Sequence, residues 1–353
     1  MNNNQNIINA FIQLGNFLSQ FSENEIQRKP DILNNDMYFD GMKHQIKLAG
    51  QHNGWFKEKN VLFSLKNWGN TLTNNNIKEW ISKYNFNITN PKTVAIIMAG
   101  NIPLVGFHDF ISVLISGHNV LIKQSSNDKH LLPFLAKYLE SIEPSLKKKI
   151  RFTDEKLEYF DAAIATGSDN TARYFEYYFR NKPSIIRKNR NSVAVLSGNE
   201  SKSQLVALSD DIFRYYGLGC RNVSKLFVPK DYDFDKFFEA IYKWHPIIQD
   251  NKYANNYDYN KAVYLMSEFD LLENGFLMLK EDTSYSSPIA TLFYEHYESI
   301  DYLKKKLKAE EDKIQCIVAD GLLENEITFG ETQKPNLWDY ADSIDTVDFL
   351  LKI

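Results

Sequence analysis

Cysteine is scarce in this chain: two residues of 353, Cys220 and Cys316. Two cannot make a disulfide framework, and a reducing compartment is the simpler setting. No uninterrupted apolar run approaches the roughly 18 residues of a membrane-spanning helix. The N-terminus, "MNNNQNIINAFIQLGNFLSQF", lacks a basic region, a continuous apolar run and a small-residue cleavage site, so it does not read as a secretory signal. A cytoplasmic protein is the expectation. Positive charge is not in excess either. Forty-one Lys and Arg against 45 Asp and Glu leave a formal net charge of −4, which gives no electrostatic case for a nucleic-acid partner. Neither G-x-G-x-x-G nor G-x-x-x-x-G-K-[ST] occurs, so a conventional dinucleotide fingerprint or P-loop is unsupported. No His/Cys cluster has zinc spacing, and no metal is expected.

What the chain does contain is core material. It is 43% hydrophobic and 14% aromatic, enough for one large or two ordinary domains. Residues 1–90 read as mostly helical. Ile7, Ile8, Phe11, Leu14, Phe17, Leu18 and Phe21 recur at the spacing of one helix face. From Thr93 the pattern changes. "TVAIIMAG", "NVLIKQSS", "AAIATG" and "SVAVLSG" are short apolar runs ending in turn residues, and helical patterns separate them. Such alternation predicts an α/β domain with a largely parallel sheet. Ligands on such sheets bind beyond the C-terminal strand ends, where the sequence has "GNIP", "KQSS" and "TGS". "SKLFVP", "SSPIATLFYE" and "IQCIVAD" read as strands of a second α/β unit, with a boundary near residues 199–205. Asp250–Asn260 reads as a polar, Tyr/Asn-rich segment.

Individual residues carry bland and functional readings together. Gly167-Ser168 opens a helix, where backbone N–H groups and the helix dipole suit a phosphate. Ser168 is equally a plain N-cap. Lys123 closes a strand, as many solvated lysines do. His245 and His296 follow Cys220 in the chain, but nothing local marks either as a base for a Cys–His hydrolase. Cys316 lies within the strand-like "IQCIVA" and reads as a buried thiol. Cys220 sits in "YYGLGCRNVSKLFVP", after two glycines, at a helix-to-strand junction and beside Arg221. A neighbouring cation favours the nucleophilic thiolate, yet a packed thiol fits this stretch alone equally well.

Taken in order, the segments resemble the aldehyde dehydrogenase superfamily over roughly residues 90–353. "MAGNIPLVGFHDFISVLISGHNVLIKQSS" is similar to the stretch from that superfamily's active-site Asn to a Lys-ending strand. "AIATGS" resembles its nucleotide turn, and "GLGCRNVSKLFVP" its nucleophile segment. "SSPI" resembles a later strand start, and "FGETQKP" the loop before the final strand. "AGNIP" and "DYADSIDTVDFLL" resemble one branch in particular, the LuxC-type acyl-CoA reductases. The resemblance implies an aldehyde-dehydrogenase-like α/β fold, with two α/β domains, largely parallel sheets and a helical N-terminal region. The expected division is 1–90 helical, packing on the cofactor domain, 91–200 nucleotide-binding and 201–330 catalytic with Cys220. Residues 331–353 would return to the first domain or to an oligomer interface.

It also implies NADPH-dependent reduction of an acyl thioester, acyl-CoA or acyl-protein, to an aldehyde. NADH stays open as cofactor, and the acyl site would lie in a cleft between the domains. Cys220 would be the nucleophile. The Asn101 amide and the Cys220 N–H would stabilise the oxyanion. Lys123 and Ser126 would face the adenosine ribose, and Gly167 and Ser168 the diphosphate. "KQSSN" puts hydroxyls, Ser125 and Ser126, where an acidic residue would repel a 2′-phosphate, which favours NADPH. An acyltransferase or acyl-carrier partner and a homo-oligomer stay open.

One departure narrows the chemistry. Aldehyde-oxidising members carry a Glu that activates water. The corresponding stretch here is "IIRKNRNSVAV", and no Asp or Glu lies between Lys182 and Gly198. Without a carboxylate base, hydrolysis of an acyl-enzyme lacks its catalyst. Arg187, Lys188 and Arg190 fill the region, either for a phosphate or as a solvated basic loop. Two other activities remain as alternatives: an NAD(P)-dependent aldehyde dehydrogenase, and a cysteine acyltransferase without a hydride step. A non-catalytic interaction protein is a further one.

Overall fold

In a computed structural model, residues 3–86 and 88–353 are described. The chain divides into two compact units, one of residues 1–188 with 336–353, the other of residues 189–335.

The first unit begins with four helices: α1 (Asn3–Leu18), α2 (Asn35–His52), α3 (Glu58–Thr71) and α4 (Asn74–Ile81). The apolar stripe of α1 is buried at Ile7, Phe11, Leu14, Phe17 and Leu18, so its periodicity states its packing face. Then β1 (Thr93–Ile97), α5 (Phe107–Ile115), β2 (Asn119–Lys123), α6 (Leu131–Ile142), β3 (Ile150–Phe152), β4 (Ala162–Thr166), α7 (Asp169–Phe179) and β5 (Ser184–Arg187) follow. The five strands form an all-parallel sheet in the order β3-β2-β1-β4-β5. The interior positions of the central strands are apolar because both faces of the sheet are covered. The chain runs outward from β1 to β3, then comes back to start again at β4. The gap between β1 and β4 is therefore the topological switch point, the usual ligand crevice of such sheets.

The second unit contains β6 (Asn191–Val195), α8 (Lys202–Phe213), β7 (Val223–Pro229), α9 (Phe234–Ile241), α10 (Asn251–Met266), β8 (Leu271–Glu273), β9 (Met278–Glu281), β10 (Thr291–Tyr297), α11 (Ile300–Ala309) and β11 (Ile314–Val318). Its sheet runs β11-β6-β7-β10-β9-β8, parallel except at the β8–β9 edge. Residues 336–353 belong to the first unit again. Their α12 (Thr346–Leu351) packs Val347 and Leu350 into its core.

Four differences from the sequence reading are instructive. The run "SVAVLSG" is a strand, but β6 bonds to β7 and β11, so the first unit ends at Lys188 and not near 200. Apolar periodicity announces a buried strand without saying which sheet will bury it. The polar segment Asp250–Asn260 is helical: α10 buries Tyr253, Tyr257 and Asn260 on one face. Its amphipathicity is carried by tyrosine and asparagine, which hides the usual apolar period. Short β3, β5, β8 and β9 went unread because three or four residues hold too little pattern. Finally, "FGETQKP" is followed by α12 and not by a strand among the described residues. Asp345 caps that helix through the Asp348 N–H.

Candidate active site

Most of the residues expected at a nucleotide lie together at the C-terminal rim of the first sheet. Gly100 and exposed Asn101 follow β1, Lys123 ends β2, Ser125 and Ser126 follow it, and Gly167 and Ser168 link β4 to α7. Pairing of Ile97 with Lys123 and of Ile97 with Ala165 puts the three strand ends side by side. A side chain at Gly100 would meet Ser125 Oγ at 2.6 Å, so the loops after β1 and β2 touch. Lys123 Nζ donates to the Glu155 carbonyl at 2.9 Å. Ser125 Oγ accepts from the Asn127 N–H at 3.2 Å, and His52 Nε2 lies 2.6 Å from the Ser126 carbonyl.

Ser168 is the N-cap of α7, accepting from the Thr171 N–H. A Cβ at Gly167 would lie 3.0 Å from Thr171 and from Phe175, so only glycine leaves this turn uncrowded. Such a rim offers a helix N-terminus and a bare glycine to a diphosphate, and hydroxyls to a sugar. Beneath it, buried Asp128 accepts the Leu104 N–H at 2.9 Å and holds the loop after β1 at a left-handed residue, φ 59°. Burial pushes its carboxyl up to about 6, against the lowering effect of that N–H.

Cys220 belongs to the second unit. It is partly exposed, whereas Cys316 is buried on β11. Between α8 and β7 the chain passes through a 3₁₀ turn, Arg214–Gly217, with three consecutive left-handed residues: Tyr215 (φ 55°), Tyr216 (φ 60°) and Gly217 (φ 75°). That conformation costs a non-glycine residue roughly 1–2 kcal/mol. Burial of both rings and a bond from Tyr216 Oη to the Asp250 carboxylate hold it. A cavity of about 30 Å³ adjoins the turn, lined by Tyr216 and Gly217 before Cys220, Val223 and Ser224 after it, and Pro288 and Ile289 of "SSPI". Two of the sequence motifs thus meet in this unit.

The main chain on either side of Cys220 is fixed by buried side chains. Ser192 Oγ donates to the Cys220 carbonyl at 2.9 Å. Asn222 Oδ1 accepts the Gly219 N–H at 2.8 Å, and its own N–H donates to the Gly219 carbonyl at 3.0 Å. Asn222 Nδ2 donates to the carbonyls of Asp211 at 2.9 Å and Arg214 at 2.8 Å. Arg221, expected as a cation beside the thiol, directs Nε to the Thr332 carbonyl at 3.0 Å. Thr332 and Gly330 are held in turn by Asp211 on α8. Its carboxylate accepts the Gly330 N–H at 2.6 Å, the Thr332 N–H at 3.0 Å and Thr332 Oγ1 at 2.8 Å. Gly330 has φ 84° and lies so close to Ala207 that a Cβ would meet its Cβ at 3.1 Å, which is why this loop needs glycine. None of Ser192, Asp211, Asn222 and Thr332 was singled out from sequence. Their partners are distant main-chain atoms, and no local pattern encodes them.

Within the basic stretch, Arg187 fits neither sequence reading, whereas Lys188 fits the solvated one. Arg187 is buried and pairs with buried Asp109 at 2.6 Å, and it also donates to the Ala341 carbonyl and Thr346 Oγ1. It is structural, because a buried guanidinium needs a buried acceptor. Lys188 pairs with Glu176 on the surface. The nearest carboxylate after the acid-free stretch, Glu200, is taken up by the loop after β6. It accepts the Ser197 N–H at 2.5 Å, Ser197 Oγ at 2.8 Å and the Gly198 N–H at 3.1 Å.

Residues 69–241 match the family model described as acyl-CoA reductase (LuxC). The likeness to the LuxC-type acyl-CoA reductases therefore stands. The match runs through the β1–β5 sheet, the acid-free stretch, Cys220 and β7. It supports an oxidoreductase acting on acyl or aldehyde substrates. No curated protein matches the chain by sequence. Solved structures give the fold. Aldehyde dehydrogenase 21 of Physcomitrella patens, in complex with the product succinate, superposes with a TM-score of 0.69 at 11% identity, covering 100% of this chain and 84% of that one. Indole-3-acetaldehyde dehydrogenase of P. syringae, in complex with NAD+ and IAA, gives 0.64 at 11%, covering 93% and 78%. The Bacillus cereus aldehyde dehydrogenase, an NAD+ complex, gives 0.60 at 10%, covering 90% and 72%. The LuxC-like chain thus has the aldehyde dehydrogenase fold. Among its described residues, no helix is long and apolar enough to cross a membrane.

Proposed function

We propose that the protein reduces an acyl thioester, acyl-CoA or an acyl-protein, to an aldehyde, with Cys220 as the covalent nucleophile and NADPH as reductant. The observation that carries this reading is the setting of Cys220. It is a partly exposed thiol on a turn fixed on both sides by buried polar groups, inside the segment matched by the family. A packing cysteine needs no such support.

The Cys220 thiolate attacks the thioester carbonyl. The new S–C bond forms as the donor's S–C bond breaks, and the donor leaves as a thiol after taking a proton. The tetrahedral species carries an oxyanion, for which the Cys220 N–H and the Asn101 amide are the assigned donors. One well-aimed donor of this kind contributes about 3–4 kcal/mol. Lys123, Ser125 and Ser126 would hold the adenosine ribose, and Gly167 and Ser168 the diphosphate. The dinucleotide, when bound, supplies the hydride that takes the acyl group to the aldehyde level. Release of aldehyde returns the Cys220 thiolate. Two solved relatives in fold are NAD+ complexes, which supports a nicotinamide cofactor. Hydroxyls after β2 favour the phosphorylated form.

Hydrolysis of the acyl-enzyme is disfavoured. The β5–β6 stretch has no carboxylate, and Glu200 is held by three local donors. The donor thiol fits a cytoplasmic setting, and an acyltransferase or acyl-carrier protein is the natural partner class. The test is steady-state reduction of acyl-CoA. Wild type is expected to form aldehyde with NADPH in preference to NADH, and Cys220→Ala to lose at least ~10³-fold in kcat. Aldehyde formation at the wild-type rate by Cys220→Ala would remove the proposal.

A further inference from the structure

We propose that Asp211 is the positioning residue for the nucleophile, holding the turn of Cys220 by two hydrogen-bonded routes that leave the end of α8: its carbonyl, through Asn222, sets the direction of the Cys220 N–H, and its carboxylate, through Thr332, anchors the Arg221 side chain. This rests on the reading of Cys220 as an acyl-accepting thiol. It assigns a task to a buried carboxylate that the chemistry itself does not use.

The first route starts at the Asp211 main chain. Its carbonyl takes Asn222 Nδ2, and Asn222 then grips Gly219 from both sides, accepting the Gly219 N–H and donating its own N–H to the Gly219 carbonyl. A trans peptide is planar, with C=O and N–H pointing in opposite directions. Fixing the Gly219 carbonyl on Asn222 therefore fixes where the Cys220 N–H points. The second route starts at the Asp211 side chain. Its carboxylate holds Gly330 and both the N–H and the hydroxyl of Thr332, and the Thr332 carbonyl takes Arg221 Nε. One residue thus reaches both neighbours of Cys220 in sequence. Ser192 fixes the peptide plane after it.

Asp211, Asn222, Thr332 and Ser192 are all buried. There, a hydrogen bond that shifts leaves a polar group unsatisfied, so the arrangement resists rotation. A surface turn would not. The requirement for such stiffness follows from acyl transfer, in which a donor must be aimed in advance at charge that develops only in the transition state. Alkylation of a thiol has no such oxyanion, and this difference separates positioning from mere folding.

The experiment compares Asp211→Asn, Thr332→Val and Thr332→Ser with wild type in full-length protein. Three quantities are read: the CoA-release burst with acyl-CoA, KM for acyl-CoA, and the pH profile of Cys220 alkylation by iodoacetamide. Asp211→Asn is expected to slow the burst by about 10–100-fold, part of what a missing donor costs. KM should stay within about twofold, and alkylation within about threefold with an unchanged pH profile. Thr332→Val, which removes one hydroxyl and keeps the volume, should slow the burst about 3–10-fold, and it decides the matter should Asp211→Asn not fold. Thr332→Ser retains the hydroxyl and should keep at least about half the rate. A wild-type burst in Asp211→Asn or Thr332→Val overturns the positioning role, as does a parallel fall in burst and alkylation. If wild type itself gives no burst and no acyl-Cys220, the proposed function falls and takes this role with it.

Discussion

A thiol that only fills space in a sheet is buried, and Cys316 on β11 is buried. Cys220 has a different setting: a left-handed run before it, buried hydrogen-bonding side chains behind it and partial exposure. Asp128 shows the same economy at the first sheet, where one buried carboxylate fixes the loop that carries Asn101. It also yields a pH prediction. Its folded value, about 6, exceeds the ordinary 3.8 because burial disfavours the charge. The native state keeps the proton where the unfolded chain has lost it. The group's contribution is thus full below pH 4 and declines as pH rises to about 6, by about 3 kcal/mol in all. Asp128→Asn should gain on wild type in urea-unfolding free energy between pH 4 and 6. A constant difference across that range would show that the carboxyl does not titrate there. At this scale the helix start at Gly167-Ser168 and the helix-to-strand junction at Cys220 were legible, because turn residues announce themselves through their neighbours in sequence. Asp128, Asp211 and Asn222 were not, because each acts on backbone that only folding brings near.

Helix α1 and the central strands β1, β2 and β4 follow from their apolar pattern alone. Elements stapled by single polar contacts do not. The end of β5, helix α5 and the start of α12 converge on Arg187, which bonds Asp109, the Ala341 carbonyl and Thr346. In the sequence Arg187 stood in a basic run that read either as a phosphate ligand or as a solvated loop. Its partners are 78 to 159 residues away in the chain. Arg187→Met should therefore destabilise the protein by about 3–5 kcal/mol, because it takes the guanidinium from a buried ion pair and leaves Asp109 behind. Pairing it with Asp109→Leu should recover much of that loss. Denaturant titration reads both. Unchanged stability with a raised KM for NADPH or acyl-CoA would instead make Arg187 a ligand residue.

On the scale of the whole molecule, two largely parallel sheets each present strand-end loops bearing the candidate chemistry. Asn101, Lys123, Gly167 and Ser168 lie on one, and Cys220 stands beside β7 of the other. The fold class was readable from the β-α rhythm, and the likeness to the LuxC-type reductases, matched over residues 69–241, from the order of weak motifs. The allocation of β6 was not, since the same apolar strand would suit either sheet. Within the proposed function, the acid-free β5–β6 stretch supplies no carboxylate base for hydrolysis of an acyl-enzyme. The most direct measurement is incubation with acyl-labelled acyl-CoA, followed by peptide mapping by mass spectrometry with and without NADPH. The account predicts label on the peptide containing Cys220, stable without NADPH and discharged as aldehyde when it is added. Label elsewhere, no label, or label that leaves as free acid at the same rate with or without NADPH would contradict it.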